Sequence, residues 1–369
     1  MLPVIALSAR DMGASLAVAA LVMTLIGVGS LVSNIPASLL TVKFGERAAI
    51  VGASCLSVVA LLLCIFAHHL LLFGAGVFLI GAASAVFNLA RQSYLTEAVP
   101  PMMRARAMST LGGVGRIGLF AGPFIGALAI HLMGLDGSYW VAIVAVAAAG
   151  AVAVSLPDLV AAPGPAHPGP APTVRSIMRS HRSVFLTVGI GILLVSAVRA
   201  SRQVVVPLWA DSLGLNPAVT SLIYGLSGAI DMLVFYPAGK VMDHKGRIWV
   251  AVPSMVLMGV ALLLMPLTTG AVSLLLVALL IGFGNGIGSG MIMTLGADYS
   301  PRQGRAQFLG IWRFFSDLGG SSGPAILSGI TAVASLAIGI GATGLLGLAA
   351  AGVLWYWVPR TDPHKLRSS

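Results

Sequence analysis

The sequence predicts an all-α polytopic membrane protein, and three observations support this fold class. Of the 369 residues, 58% are hydrophobic and only 9% are charged, whereas soluble domains carry about 25% charged residues. The apolar runs are long enough to cross a bilayer, which takes about 20 residues per helix. The alternating pattern of an outer-membrane β-barrel is absent from the sequence. This composition excludes a soluble globular protein.

The apolar runs between charged or Pro/Gly-rich breaks predict eleven full spans. Glycine and proline interrupt several of them, and membrane helices tolerate this because neighbouring helices satisfy the freed backbone groups. Cys55 and Cys64 fall within one span, so we expect packing residues there and no disulfide between them. The predicted spans lie near residues 15–40, 48–67, 70–92, 107–132, 138–156, 184–209, 217–239, 249–268, 271–294, 306–331 and 334–358.

The positive charges predict the orientation of these spans. The connections after the first, third, fifth, seventh and ninth spans contain lysine and arginine, and the other connections contain almost none. By the positive-inside rule, the basic connections and the C-terminal tail are cytoplasmic, which predicts a multi-pass protein of the cell (inner) membrane. The net charge of +10 is therefore a topology signal, and we expect no nucleic-acid partner.

The chain repeats itself at an offset of 201 residues, with no gap. This offset superposes Pro36 on Pro237, Arg104 on Arg305 and Gly122 on Gly323. Both halves keep their basic connections on the same side, so the repeat is parallel. The predicted divisions are an N-terminal bundle over 1–156, a cytoplasmic Pro/Gly-rich linker over 157–183, a C-terminal bundle over 184–358 and a cytoplasmic tail over 359–369.

Two kinds of connection resemble those of the major facilitator superfamily. Gly239, Asp243, Gly246 and Arg247, in the stretch GKVMDHKGR, look like the loop signature that follows the second helix of each half in that family. The stretches TEAVPPMMRAR and ADYSPRQGRA resemble the family's connection between the fourth and fifth helices. The resemblance implies two parallel-repeat six-helix bundles that transport a small molecule by alternating access.

The resemblance also implies a cytoplasmic gate. In the family, the acidic residue of the loop signature takes part in a charge network that closes this gate. Ser38 and Val42 stand in the first half where Gly239 and Asp243 stand in the second. The gate is therefore expected to depend on the second copy, with Asp243 and Arg247.

The repeat predicts a further helix before the first full span. The counterpart of the span at 184–209 would begin before Met1, so most of a first helix is expected to be missing and eleven full spans remain. The alternative is an eleven-span protein whose N-terminus lies outside.

The fifth helix of each half contains a glycine-proline pattern. Gly118, Gly122 and Pro123 resemble the corresponding motif of drug-proton antiporters, and Gly323 and Pro324 repeat it. Small residues four apart permit close helix contact, and proline bends a helix. The pattern predicts a helix bend, and it favours either an exporter or a purely structural bend.

Ionisable residues within the spans are candidates for proton coupling, because such residues are costly in a bilayer and usually functional. Asp317 and Asp231 are the candidate acids, with Arg313 and Arg116 as their partners. An acid beside an arginine can exchange a proton when the arginine moves or the cavity fills with water. The repeat superposes Arg116 on Asp317, which predicts that these two face each other. A fixed structural ion pair is the alternative.

Candidate substrate-binding residues lie on helices that line the cavity in this family. Arg199 and Arg202, with Gln203, could bind an anion or extend to the outer interface of the membrane. The remaining candidates for a mixed polar and apolar pocket are Asn88, Asn285, Tyr224 and Trp312.

The sequence favours a secondary active carrier that exports small amphipathic or lipophilic compounds in exchange for protons. One alternative is an organic-anion carrier that uses Arg199, Arg202 and Arg313; the other is a non-transporting or truncated membrane protein. No metal cluster, nucleophile with a base, or phosphate-binding glycine loop is present in the sequence, so an enzyme is not expected. We expect no cofactor beyond the proton gradient, a small-molecule substrate, a lipid bilayer as surroundings, and a monomer.

Overall fold

The computed structural model describes residues 2–14, 16–157 and 172–361, and no strand occurs among them. Most of the proline-rich linker and the tail residues Lys365 and Arg367 lie outside these ranges. The helices of the described ranges are α1 Leu2–Asp11, α2 Leu16–Phe44, α3 Glu46–Ile65, α4 Leu70–Ala98, α5 Arg104–Met133, α6 Asp136–Ser155, α7 Val174–Ser180, α8 Arg182–Val184, α9 Ile190–Ser212, α10 Pro217–Lys245, α11 Ile248–Leu264, α12 Ala271–Ile287, α13 Met291–Tyr299, α14 Arg305–Val333 and α15 Leu336–Thr361.

The lengths and compositions of these helices confirm the predicted fold class. Within the described ranges, nine helical segments are long and apolar enough to cross a membrane. The other two predicted spans correspond to α5 and α14, which are 30 and 29 residues long. Charged residues interrupt the apolar character of both, with Arg116 in α5 and Arg313 in α14. The chain is therefore an all-helical multi-pass membrane protein.

The chain divides into two compact units that differ from the sequence halves at two helices. The first unit takes its described residues from Met1–Ala98, Ile117–Ile177 and Pro301–Phe314. The second takes its described residues from Val99–Arg116, Met178–Ser300 and Phe315–Ser369. The beginning of α5 thus belongs to the second unit, and the beginning of α14 belongs to the first.

Each unit is held together by helices that pack along their length. In the first unit, α4 packs against α2 and α3, and α3 also packs against α6. The short helix α1 packs against α2, and its residues Ile5 and Ala9 are fully buried. In the second unit, α12 packs against α10 and α11, and α15 packs against α9 and α11.

Equivalent glycines allow the closest of these helix contacts. A Cβ atom added at Gly81 in α4 would collide with the carbonyl oxygen of Ile26, and one added at Gly282 in α12 would collide with that of Ser227. The two glycines are related by the repeat offset. Their missing side chains let the backbones of α4 and α12 approach α2 and α10 respectively.

One predicted span is interrupted in the structure. The sequence predicts a continuous helix over 271–294, but α12 ends at Ile287 and α13 begins at Met291. Gly290 has φ +71, in the left-handed region that glycine adopts without steric cost. The amide of Ser289 donates to the carbonyl oxygen of Gly286 at 3.0 Å. This break lies beside the polar side chains described below.

Candidate functional site

Five polar residues come together in the second unit, at the middle of its long helices. We call them the central cluster. Asp231 lies at the midpoint of α10, so it is about 21 Å from either helix end. The central cluster consists of Arg116 on α5, Arg199 and Arg202 on α9, Asp231 on α10 and Asn285 on α12.

The carboxylate of Asp231 is the centre of this arrangement, and it is only 3% exposed. Its Oδ1 atom forms an ion pair with Arg116 Nη1 at 2.7 Å. Its Oδ2 atom lies 3.2 Å from Arg202 Nη2 and accepts a hydrogen bond from Asn285 Nδ2 at 2.6 Å. Two guanidinium groups and one amide therefore hold a buried carboxylate, which is the condition for keeping such a charge in a low-dielectric interior.

Arg199 has a neutral partner. Its Nη2 atom donates to the backbone carbonyl oxygen of Asn285 at 2.8 Å, and Arg116 Nη2 approaches the same oxygen at 3.5 Å. Among the described residues, no carboxylate forms an ion pair with Arg199. A Cβ atom added at Gly288 would lie 3.1 Å from Arg199 Nη2, so the absence of a side chain at Gly288 makes room for the guanidinium group.

The central cluster has more positive than negative charge. It contains three guanidinium groups and one carboxylate, and arginine stays protonated in proteins. The formal excess of two positive charges lies in the part of the second unit that is expected to be in the hydrocarbon. Such a site is suited to an anion.

The structure unites residues to which the sequence assigned different roles. Asp231 and Arg116 were predicted for proton coupling, and Arg199, Arg202 and Asn285 for substrate binding. The sequence placed Arg116 opposite Asp317, but in the structure Arg116 pairs with Asp231. The reason is that α5 packs against α10 here: a Cβ atom added at Gly113 would overlap the Phe235 ring. Asp317 is half-buried on α14.

The other predicted site residues lie outside the central cluster. Asn88, Trp312 and Arg313 belong to the first unit. Asn88 donates to Ser84 Oγ at 3.1 Å and accepts from Arg91 Nη2 at 3.0 Å, while Trp312 is buried and stacks on Phe308. Their assignment to a substrate or proton site stays a prediction.

Two further candidates are on the surface of the second unit. Gln203 is exposed on α9, and Tyr224 on α10 is 36% exposed. Neither side chain reaches the polar groups around Asp231 in any described contact. Their predicted role in substrate binding is likewise untested.

A second set of charges lies where the helices of the second unit meet their connections. We call Arg104, Arg106, Asp243, Arg247 and Asp298 the loop network. Asp243 accepts hydrogen bonds from the backbone amides of Ala105 and Arg106, at 3.0 and 3.1 Å. These amides belong to the first turn of α5, where a negative charge is favourable. Asp243 therefore caps α5 from the end of another helix.

Ion pairs complete the loop network. Asp243 pairs with Arg106 Nε at 3.0 Å and with Arg247 Nη1 at 3.8 Å. Asp298 pairs with Arg247 Nε at 2.7 Å and with Arg104 Nη1 at 3.4 Å. Gly246 has φ +98, so this turn requires glycine. The structure thus places the charged residues of the loop signature, Asp243 and Arg247, next to the tight turn at Gly246.

The first unit contains an equivalent of one of these pairs. Arg305 Nη1 lies 3.3 Å from Glu97 Oε2, and the repeat offset superposes this pair on Arg104 and Asp298. The position equivalent to Asp243 carries no carboxylate in the first half, because Val42 stands there.

A close helix contact is preserved in both units, although the sequence signature is altered in one of them. A Cβ atom added at Gly239 would lie 2.9 Å from Ser109 Cβ, and one added at Gly310 would lie 2.8 Å from Ser38 Cβ. Gly310 is equivalent to Ser109. The serine that replaces the signature glycine at position 38 is therefore matched by a glycine on the facing helix.

The glycine-proline pattern behaves differently in its two copies. A Cβ atom added at Gly323 would collide with the carbonyl oxygen of Ala197, so this copy, next to Pro324, packs α14 closely against α9. At Gly118 and Gly122, an added Cβ would meet no atom of the described residues within 4 Å. The side chain of Pro123 lies outside the described part of the chain.

Two features of the site could not be identified from residue types alone. One is the Asn285 carbonyl oxygen, which acts as an acceptor for arginines. The other is the cap that Asp243 provides to α5. A signal for the first exists in the stretch NGIGSG at 285–290, since alternate glycines within a span weaken a helix and expose its backbone.

Comparisons with known proteins agree with this architecture. The family model of the Major Facilitator Superfamily matches residues 1–324 and 190–369. No curated protein matches the sequence significantly.

Similar solved structures include a human protein, the organic anion transporter MFSD10 (TETRAN), with TM-score 0.78 and 15% identity over 94% of this chain and 87% of that one. The fucose:proton symporter FucP of E. coli has TM-score 0.77 and 12% identity over 96% of this chain and 95% of that one. The proton:xylose symporter XylE has TM-score 0.74 and 13% identity over 93% of this chain and 86% of that one. At these identities the likeness concerns the fold. The chain belongs to the Major Facilitator Superfamily, whose members are transporters.

Proposed function

We propose that the chain is a proton-coupled secondary carrier whose substrate is a small organic anion. The observation that supports this proposal is the composition of the central cluster, in which Arg116 and Arg202 share the single carboxylate of Asp231 while Arg199 donates only to a neutral carbonyl oxygen. Unbalanced cations within a bilayer are costly and mark functional sites. A bound anion supplies the missing negative charge.

Arg199 is the first contact that we propose for the anion. Its described partner is the neutral carbonyl oxygen of Asn285, at 2.8 Å. A carboxylate or sulfonate accepts two charge-assisted hydrogen bonds from one guanidinium group, and such bonds are about twice as strong as neutral ones. An anion therefore replaces this carbonyl oxygen favourably.

Asp231 is the proposed proton site. Its carboxylate lies 2.7 Å from the guanidinium group of Arg116 and 3.2 Å from that of Arg202. An anion that binds these arginines competes with the carboxylate, and a buried carboxylate that loses its counter-charge takes up a proton. Anion and proton then bind together and cross the membrane in the same direction.

The loop network is the proposed gate on the cytoplasmic side. Asp243 and Asp298 hold the first turn of α5 and the arginines Arg104, Arg106 and Arg247 in one arrangement. Alternating access requires a second arrangement, in which these ion pairs are open. We propose that the C-terminus is cytoplasmic, in the inner membrane, and that one chain is sufficient for transport.

The sequence favoured proton-driven export of amphipathic or lipophilic compounds, and this remains the second possibility. The glycine-proline pattern supported it, but the copy at Gly323 has a packing role against α9. The organic anion transporter and the two proton symporters among the similar structures agree with an anion and with cotransport. The proposal depends on the central cluster, because those proteins share only the fold.

Uptake by purified protein in proteoliposomes tests the proposal. The probes are radiolabelled benzenesulfonate, its neutral analogue benzenesulfonamide, and benzylammonium, under an inward proton gradient. Benzenesulfonate is the conjugate base of a strong acid, so it stays ionised and does not cross the lipid as a neutral molecule. We expect accumulation of benzenesulfonate alone, and its loss in Arg199→Gln. The control is Arg182→Gln, which changes an exposed arginine at the start of the same span.

Two results would contradict the proposal. Uptake of the neutral or cationic probe without uptake of the anion would favour a carrier of lipophilic compounds. Equal uptake of benzenesulfonate by the wild type and Arg199→Gln would remove the central cluster from substrate recognition.

A further inference from the structure

We propose that the carbonyl oxygen of Asn285 occupies the place of the substrate anion, and that anion binding closes the break between α12 and α13. This inference rests on the proposed function, because it assigns a conformational consequence to binding at the central cluster.

The break leaves the carbonyl oxygen of Asn285 without its helical donor. In a continuous α-helix the amide of Ser289 would donate to the carbonyl oxygen of Asn285, four residues earlier. Here that amide donates to the Gly286 carbonyl oxygen at 3.0 Å. The left-handed conformation of Gly290, with φ +71, then starts α13.

The freed oxygen makes the contacts that a substrate oxygen would make. It accepts from Arg199 Nη2 at 2.8 Å and from Arg116 Nη2 at 3.5 Å. The side chain of the same residue donates to Asp231 at 2.6 Å. Asn285 thus contacts three members of the central cluster, two of them through its backbone.

The glycines of the break provide the space for this arrangement. A Cβ atom added at Gly286 would lie 2.8 Å from the carbonyl oxygen of Asp231, and one added at Gly288 would lie 3.1 Å from Arg199 Nη2. α12 can therefore approach α10 and the guanidinium group closely. The absence of side chains at Gly286 and Gly288 thus lets the backbone of α12 contact charged side chains.

Binding of an anion changes the hydrogen bonding of the Asn285 carbonyl oxygen. When the anion takes the guanidinium groups of Arg199 and Arg116, the Asn285 oxygen loses its donors inside the protein. Buried carbonyl oxygens are almost always paired, and the Ser289 amide is the donor that a helix would supply. Re-forming that hydrogen bond makes α12 and α13 more continuous.

The other end of α13 connects this change to the loop network. α13 has nine residues and carries Asp298, which pairs with Arg247 at 2.7 Å and with Arg104 at 3.4 Å. A reorientation of α13 relative to α12 moves Asp298 with respect to these arginines. Anion binding at the middle of the membrane is thereby transmitted to the proposed gate.

Hydrogen–deuterium exchange of the full-length protein in lipid nanodiscs tests the inference. Peptides covering residues 285–295 are followed with benzenesulfonate, benzenesulfonamide or no addition, and binding of labelled benzenesulfonate is measured on the same samples. We expect the anion alone to slow exchange in this segment by about threefold or more. The reason is that a more continuous helix replaces the three-residue hydrogen bonds at the break, such as that from Ser289 to Gly286, by helical ones that open less often.

A variant of the break provides the second part of the exchange experiment. Gly290→Ala disfavours the left-handed residue that keeps the break open, and its Cβ atom would also lie 2.6 Å from the Ser109 backbone of α5. The open break therefore cannot persist unchanged in this variant, and its exchange without anion should approach that of the wild type with anion. Gly352→Ala, at an exposed position with no atom within 4 Å of the added Cβ, is the control and should exchange like the wild type.

The outcomes separate the two proposals. If benzenesulfonate binds but exchange over 285–295 is unchanged, the closing of the break is wrong and the anion carrier stands. If the wild type binds no benzenesulfonate, the proposed function fails and the inference fails with it. If Gly290→Ala binds the anion yet exchanges like the unliganded wild type, the glycine does not control the break and the inference is overturned.

Discussion

Asp231 is the residue on which the proposed proton coupling depends, because both of its carboxylate oxygens face an arginine. Replacing it by asparagine removes the negative charge that competes with a substrate anion. We predict that Asp231→Asn binds benzenesulfonate about tenfold more tightly, since a hydrogen bond to a charged group contributes roughly 1.5–3 kcal/mol. Proton-driven accumulation should be lost. Equilibrium binding and uptake on the same preparation measure the two effects.

The matched control for this prediction is Asp317→Asn, which changes the other candidate acid. It should leave benzenesulfonate affinity unchanged. Loss of binding in Asp231→Asn would instead show that Asp231 is needed only to hold the arginines in place.

A substitution at Gly288 tests whether the position of Arg199 matters for anion binding. A Cβ atom added there would lie 3.1 Å from Arg199 Nη2 and closer still to Ser254 Oγ, so Gly288→Ala must displace one of these groups. We predict benzenesulfonate affinity at least about tenfold lower, because a shifted bidentate contact loses more than about 1.4 kcal/mol. Gly352→Ala serves again as the control, and unchanged affinity in Gly288→Ala would contradict the proposed position of the anion.

At the residue scale, the side chains of the central cluster could be predicted from the sequence, but their contacts with one another could not. An ionisable group in an apolar span is easily recognised, so Asp231, Arg116, Arg199 and Arg202 were all found. Their mutual contacts depend on how α5, α9 and α10 pack, which no local pattern specifies. Arg116 was therefore given the partner that the repeat suggested, and the structure gives it Asp231.

At the scale of secondary-structure elements, α5 depends on a cap that another helix provides. Asp243 accepts hydrogen bonds from the backbone amides of Ala105 and Arg106 and forms ion pairs with two arginine side chains. Asp243→Asn weakens the ion pairs and the favourable charge at the helix N-terminus. We predict a loss of roughly 1–3 kcal/mol in stability, seen as a lower melting temperature of the purified protein. The turnover rate should fall while the KM for benzenesulfonate stays the same.

The control for this element is Asp211→Asn, because Asp211 is exposed in the last turn of α9. It should alter neither the melting temperature nor the turnover rate. A change in KM without a change in turnover for Asp243→Asn would place Asp243 in substrate binding and contradict its role in a gate.

The helices themselves were largely predictable, and the exceptions have physical reasons. Runs of apolar residues define the spans because a membrane requires length and hydrophobicity, and α3, α6 and α15 follow the predicted limits to within three residues. The break between α12 and α13 was missed because NGIGSG carries no charge and lies within a span that is apolar as a whole. The ion pairs and hydrogen bonds that make the break favourable come from α5 and α9, far away in the sequence.

At the scale of the whole molecule, equivalent positions of the repeat form the same kind of ion pair in both halves. Arg104 pairs with Asp298 in the second unit, and Arg305 pairs with Glu97 in the first. The asymmetry lies at Asp243 and Val42, so the two halves are not expected to contribute equally to a gate. The sequence predicted this asymmetry from the altered signature, although it could not identify the compensating pair Ser38 and Gly310.

Orientation in the membrane is a prediction for the whole chain. In a variant without the native cysteines, Thr269→Cys and Gln303→Cys place a thiol at exposed positions in the eighth and ninth connections. The positive-inside rule predicts that a membrane-impermeant thiol reagent labels only Thr269→Cys in intact cells. Labelling of Gln303→Cys alone would reverse the predicted orientation, and permeabilised cells, in which both should react, are the control.

The most direct test of anion–proton cotransport is the pH change that accompanies entry of the anion. Proteoliposomes with a pH indicator inside, and no initial pH gradient, receive benzenesulfonate on the outside. Cotransport predicts acidification of the interior with the wild type, no change with Arg199→Gln, and anion entry without acidification with Asp231→Asn. Entry of labelled benzenesulfonate into wild-type proteoliposomes without acidification, or with alkalinisation, would contradict cotransport at the central cluster.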